Sequence, residues 1–145
     1  MTQPKQGALL ETAGDGAAVA PPVDEAFFER LRAMSDKFAA GVPGSIVRLQ
    51  ALAVQFDAAQ PAAALAEELR RVLHTIAGSA ATFGYRTFGT QARVLEQRLR
   101  VLQAFEQVGA AEWRSWLHSL EHYLQWARVD ARADNFPTEN GQENI

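Results

Sequence analysis

Cysteine is absent from the 145 residues, so neither disulfide nor thiol chemistry is open to the chain, which fits a cytoplasmic setting. No apolar run approaches the roughly 20 residues that a membrane-spanning helix requires. Met1 to Val23 carries a single lysine and scattered glycine and proline, without the sustained apolar core of a signal peptide. Positive charge is not in excess either. The 14 Lys and Arg face 17 Asp and Glu, a formal net charge of −3, which leaves no electrostatic footprint for nucleic acid. There is no glycine-rich nucleotide loop, no convincing strand and no internal repeat. The length predicts one domain.

What the chain does have is helical periodicity, and with 48% hydrophobic residues it has enough apolar mass for a core. Residues 1–22, rich in Ala, Gly and Pro, read as a mobile leader. Asp24 is a candidate cap for a first helix to about Ala40, whose apolar positions are Phe27, Phe28, Leu31, Met34 and Phe38. Gly41-Val42-Pro43-Gly44 reads as a break. Ser45 starts a second helix that buries Ile46, Leu49, Leu52, Ala53 and Phe56. Pro61 suits the first turn of a third, which carries Leu65, Leu69, Val72, Leu73, Ile76, Ala80 and Phe83 on one stripe and closes at Gly84, a left-handed cap. A fourth helix buries Phe88, Ala92, Leu95, Leu99 and Leu102 and ends near Gly109. A fifth, about 110–131, carries Trp113, Trp116, Leu117, Leu120, Leu124 and Ala127. Phe105 also reads as core, whereas Tyr123 and Trp126 fall on the flank. Short breaks between amphipathic helices favour antiparallel neighbours. The expected fold is therefore all-α: an antiparallel up-down four-helix bundle of helices two to five, with an additional N-terminal helix across one end or side. The domain spans residues 23–131, and 132–145 is a flexible tail.

One histidine is out of place in this pattern. His74 lies roughly 155° from the middle of the third helix's apolar stripe, nearly opposite the core. Ala77, Gly78 and Ala81 surround it on the outer face. A glycine inside a helix costs about 1 kcal/mol relative to alanine, and the bare backbone it leaves gives another protein's reactive group access to the imidazole. The stretch His74, Gly78, Ser79, Ala80, Ala81, Phe83 and Gly84, followed by Leu95-Glu96 in the next helix, resembles the signature of histidine-containing phosphotransfer (HPt) domains over about residues 24–130. The Thr82-Phe83-Gly84 ending is similar to the phosphotransfer domains of chemotaxis-type kinases. The family's usual lysine three residues after the histidine is Ala77 here.

The resemblance implies a phosphorelay carrier that is not itself an enzyme of the kinase type. His74 would take a phosphoryl group from a receiver-domain aspartate or a sensor histidine kinase and pass it to a response-regulator receiver. No cofactor belongs to this chain; Mg²⁺ is expected on the partner receiver. If helices three and four form a hairpin folded near Tyr85, residues whose numbers sum to about 170 lie level. Glu96 then stands level with His74, and Arg93 with Ala77. A carboxylate at Glu96 can accept a hydrogen bond from the imidazole Nδ1 and leave Nε2 as the nucleophile, the role a glutamate at this spacing has in the chemotaxis-type domains. A structural ion pair from Glu96 to Arg93 or Arg100 competes with it. Arg70, Arg71 and Arg93 are the candidates for the missing cation, each otherwise a solvated surface arginine. His118 and His122, four apart on the last helix, read as surface histidines and not as a metal site, which wants four ligands. Two other readings compete: an interaction bundle that binds receivers without being phosphorylated, and a piece of a larger hybrid kinase or response regulator.

Overall fold

The computed structural model describes residues 21–137. The leader expected over 1–22 lies outside the described residues except for its last two, which are helical, and the tail beyond 137 lies outside them as well. The described elements are α1 (Pro21–Gln55), α2 (Ala63–Ser79), a 3-10 turn (Ala80–Phe83), α3 (Arg86–Ala104) and α4 (Ala110–Asp130), with no strand among the described residues. The chain divides into two units between Lys37 and Phe38.

In the first unit, Asp24 stands in the first turn of α1 instead of capping it. The rings of Phe27 and Phe28 meet edge to face at 5.5 Å. Phe27, Phe28, Leu31 and Met34, apolar positions at helical spacing, are all exposed.

In the second unit, the break expected at Gly41–Gly44 does not occur. No separate helix starts at Ser45, because α1 runs through Pro43 without interruption. A mid-helix proline loses one amide hydrogen bond and crowds a carbonyl, a cost of about 3 kcal/mol. Against this, Phe38, Val42, Ile46, Leu49 and Leu52 keep a single helical phase across the proline, and Val42 and Ile46 are buried on either side of it. Each such burial stabilises by about 1.5–3 kcal/mol, so together they offset the proline.

Short connections fold the four helices up and down. Asp57 closes the first connection: its side-chain Oδ1 accepts the Ala59 amide at 2.9 Å and its carbonyl accepts the Gln60 amide at 3.0 Å. α2 then starts at Ala63, just past Pro61. At the α2–α3 turn, Gly84 adopts φ +88° as expected, and the Tyr85 amide bonds back to the Ala80 carbonyl at 2.9 Å. Gly89 has a different purpose: a Cβ there would come within 2.8 Å of the Ala80 Cβ, so the glycine lets α3 approach the 3-10 turn closely. Arg48 pairs with Glu68 between α1 and α2 at 3.0 Å, and Arg128 bonds to Gln50 between α4 and α1. Between α3 and α4, the Trp116 indole donates to the Leu95 carbonyl and the Tyr123 hydroxyl to the Phe88 carbonyl, each at 2.9 Å. Leu49, Leu69, Leu73, Phe88, Leu99, Trp116, Leu120, Tyr123 and Leu124 fill the centre.

Three expectations change here. Tyr123 is central, not flanking; burial raises its hydroxyl pKa well above the usual value. Phe105 is exposed, because the chain leaves the helix at Ala104 and turns extended (φ −102°, ψ 139°), so helical projection no longer applies to it. Residues 132–137 are not free. The Trp126 indole donates to the Asn135 carbonyl at 2.7 Å, the Thr87 hydroxyl to the Asp134 carbonyl at 3.0 Å, and His122 Nε2 to the Pro137 carbonyl at 2.9 Å. The Phe136 ring sits edge-on to His122 and Trp126, and Arg132 covers the Tyr85 ring at 4.9 Å.

Candidate functional site

α2 turns Leu69, Leu73 and Ile76 inward, which leaves the His74 side chain 62% exposed on the opposite side. Its Nδ1 lies 2.9 Å from Glu96 Oε2 on α3. The Glu96 side chain is only 5% exposed. An ionised carboxylate only accepts hydrogen bonds, so this contact puts the imidazole proton on Nδ1 and leaves the Nε2 lone pair free.

A buried carboxylate needs compensating charge. Glu96 Oε2 receives Arg70 at 3.3 Å and Arg100 Nε at 3.5 Å as well as His74. The histidine contact and the ion pair, set against each other in the sequence, are thus present together. Behind them, Arg70 forks onto Glu67 at 2.7 and 3.0 Å, and Gln103 reaches the same carboxylate at 3.3 Å. The Arg70 hydrogen bond, aided by the Gln103 bond and the charges of Arg70 and Arg71 against some desolvation, brings the Glu67 carboxyl down to about 2. In return, the Glu67 bond raises the Arg70 pKa. A line of side chains, Gln103–Glu67–Arg70–Glu96–His74, therefore ends at the imidazole.

The remaining candidates separate. Arg71 turns away to Glu67 and Glu68 at 3.6 and 3.5 Å. Arg93 crosses the hairpin and donates to the Ala77 carbonyl at 3.1 Å, as the level pairing of the two helices implies. Ala77 itself is buried and gives no open access, because it lies about 40° round from Leu73, on the side towards α3. Gly78 and Ala81 are exposed, and a Cβ added at Gly78 would meet nothing within 4 Å. The open platform is therefore His74, Gly78 and Ala81. Arg100, Glu67 and Gln103 were not singled out for the site by their residue types. Their signal was spacing: Glu67 to Arg70 and Glu96 to Arg100 are three- and four-residue helical pairs, and Gln103 stands level with Glu67 across the hairpin.

His118 is exposed, and His122 is bonded to Pro137. Among the described residues no group of three or more His, Cys, Asp or Glu is placed to hold a metal ion. No described helix is long and apolar enough to cross a membrane.

The bundle thus exposes His74 beside a buried acid on the next helix. The family model of the Hpt domain matches residues 25–138, most of the chain, and the chain belongs to that family. Hpt domains are phosphocarriers of two-component signalling and have no kinase activity. The matched span takes in the docked residues 132–137 as well as the four helices apart from the first turn of α1. Neither a curated protein nor a solved structure matches the chain.

Proposed function

We propose that His74 Nε2 is the phosphoryl acceptor, and that the chain relays the group between two-component partners. The observation that carries this reading is the 2.9 Å contact from Nδ1 to the buried Glu96. In the forward step the Nε2 lone pair forms the N–P bond as the P–O bond to a receiver's phosphoaspartate breaks, and that aspartate leaves as a carboxylate. The proton stays on Nδ1, and Glu96 balances the positive charge that the ring acquires. In the return step a receiver aspartate attacks phosphorus, and neutral His74 leaves. A sensor histidine kinase is the other possible donor. Phosphoryl transfer mostly requires positioning and charge neutralisation, so Mg²⁺ and the acidic pocket belong to the partner, in the cytoplasm.

The test is to offer the protein a panel of phosphorylated receivers. The expected result is an acid-labile, base-stable label on His74 that disappears in His74→Gln. Label on His118 or His122, or full labelling of His74→Gln, contradicts the proposal.

A further inference from the structure

We infer that Arg93 is the cation that meets the phosphoryl group on His74, delivered from α3 in place of a lysine at position 77. The inference rests on the proposed phosphorylation of His74 and names a further residue for that step.

A phosphoryl group brings nearly two negative charges to the surface of α2. Four arginines stand near enough to matter, and three are engaged with carboxylates. Arg70 is forked onto Glu67 and also bonded to Glu96. Arg71 pairs with Glu67 and Glu68. Arg100 pairs through Nε with Glu96. Arg93 has no carboxylate partner among the described residues. Its one hydrogen bond runs from a terminal nitrogen to the Ala77 carbonyl. That bond holds the guanidinium at the Ala77 carbonyl, in the turn of α2 that follows His74. The other guanidinium nitrogen and Nε remain available, and a guanidinium fork suits phosphoryl oxygens.

The bare side chain at position 77 fits this arrangement. Ala77 is buried although it lies next to an exposed histidine, and Arg93 reaches its carbonyl across the hairpin. A lysine at 77 would put a second long cation into the space that Arg93 crosses. The two positions are therefore alternatives: a cation from α2, or one from α3 over an alanine. Residues that share a site in this way are non-additive when mutated.

The experiment compares wild type, Arg93→Ala, Ala77→Lys and the double variant. Each is phosphorylated with phosphoramidate, whose P–N bond breaks as Nε2 attacks, releasing ammonia, so no receiver supplies charge. Arg93→Ala should slow labelling about three- to fivefold, the size of a screened surface charge contact. In ³¹P NMR it should also raise the pKa of the phosphohistidine phosphoryl group. Ala77→Lys alone should bring no gain, whereas in the Arg93→Ala background it should restore most of the rate. Labelling and phosphoryl pKa unchanged in Arg93→Ala, with only a lower melting temperature, would show that Arg93 merely caps the Ala77 carbonyl. An equal gain from Ala77→Lys with and without Arg93 would also overturn the inference. His74→Gln run alongside separates the two claims: if it still takes label, the acceptor assignment fails; if it takes none while Arg93→Ala behaves as wild type, only the role of Arg93 falls.

Discussion

The two faces of α2 are built to opposite rules. On the inner face Leu69, Leu73, Ile76 and Ala80 are buried. On the outer face Gly78 has nothing within 4 Å of where a Cβ would stand, and His74 is mostly exposed. Stability comes from the first face and the proposed chemistry from the second, nearly opposite it on the same helix. Glu96 joins them: it is buried like a core residue, yet its carboxylate meets the imidazole at the surface. Substitutions on the two faces should therefore separate stability from transfer.

The largest expected effect is on the inner face. Leu73→Ala removes a fully buried side chain and should cost about 2–5 kcal/mol in denaturant unfolding, while the fraction that remains folded still takes label. The neighbouring change His74→Gln should leave the unfolding midpoint almost unmoved. If Leu73→Ala abolished labelling in fully folded protein, the separation of the two faces would be wrong.

Gly78→Leu should have a smaller effect on stability and of the opposite sign, a gain of about 0.5–1 kcal/mol from helix propensity at a site with room for the side chain. Transfer from a receiver should fall sharply, while labelling by phosphoramidate, which needs no docking, should change little. Equal loss with both donors would show that Gly78 is not there for access. Calorimetry and the two labelling rates on the same preparation decide it.

Much of this was legible in the sequence, and the parts that were not have physical reasons. α2, α3 and α4 follow from their apolar stripes, and Gly84 from the need for a left-handed cap. Hairpin arithmetic puts Glu96 level with His74 and Arg93 level with Ala77, and the family resemblance implied the contact of Glu96 with the imidazole. Local composition misled at Gly41–Gly44, where Gly and Pro read as a break. Val42, in the middle of that stretch and in phase with Phe38 and Ile46, was the contrary signal, and tertiary burial prevailed. The docking of residues 132–137 was not legible, because it rests on backbone carbonyls accepting from Trp126, Thr87 and His122, and a carbonyl leaves no mark in a sequence.

The smallest effect concerns the Glu67–Arg70 link in the line of side chains that ends at His74. Glu67 has a folded pKa of about 2, below its ordinary 4.5. A depressed carboxyl contributes stability that is complete above the unfolded value and is lost as pH falls towards the folded one. The window is therefore about pH 4.5 to 2. Glu67 is partly exposed, so screening keeps the contribution small. Glu67→Gln should flatten the acid limb of the stability profile in that window and leave neutral pH little changed. An unaltered acid limb would mean that Glu67 and Arg70 are not coupled in solution.

The central claim is that Glu96 holds the His74 proton on Nδ1 and so frees Nε2. Long-range ¹H–¹⁵N NMR of the imidazole above its titration reads this directly, without any partner. The account predicts a protonated Nδ1 and a bare Nε2 for His74 in the wild type, with the preference for that tautomer lost in Glu96→Ala. A His74 ring protonated on Nε2, or a tautomer unchanged when Glu96 is removed, would contradict it.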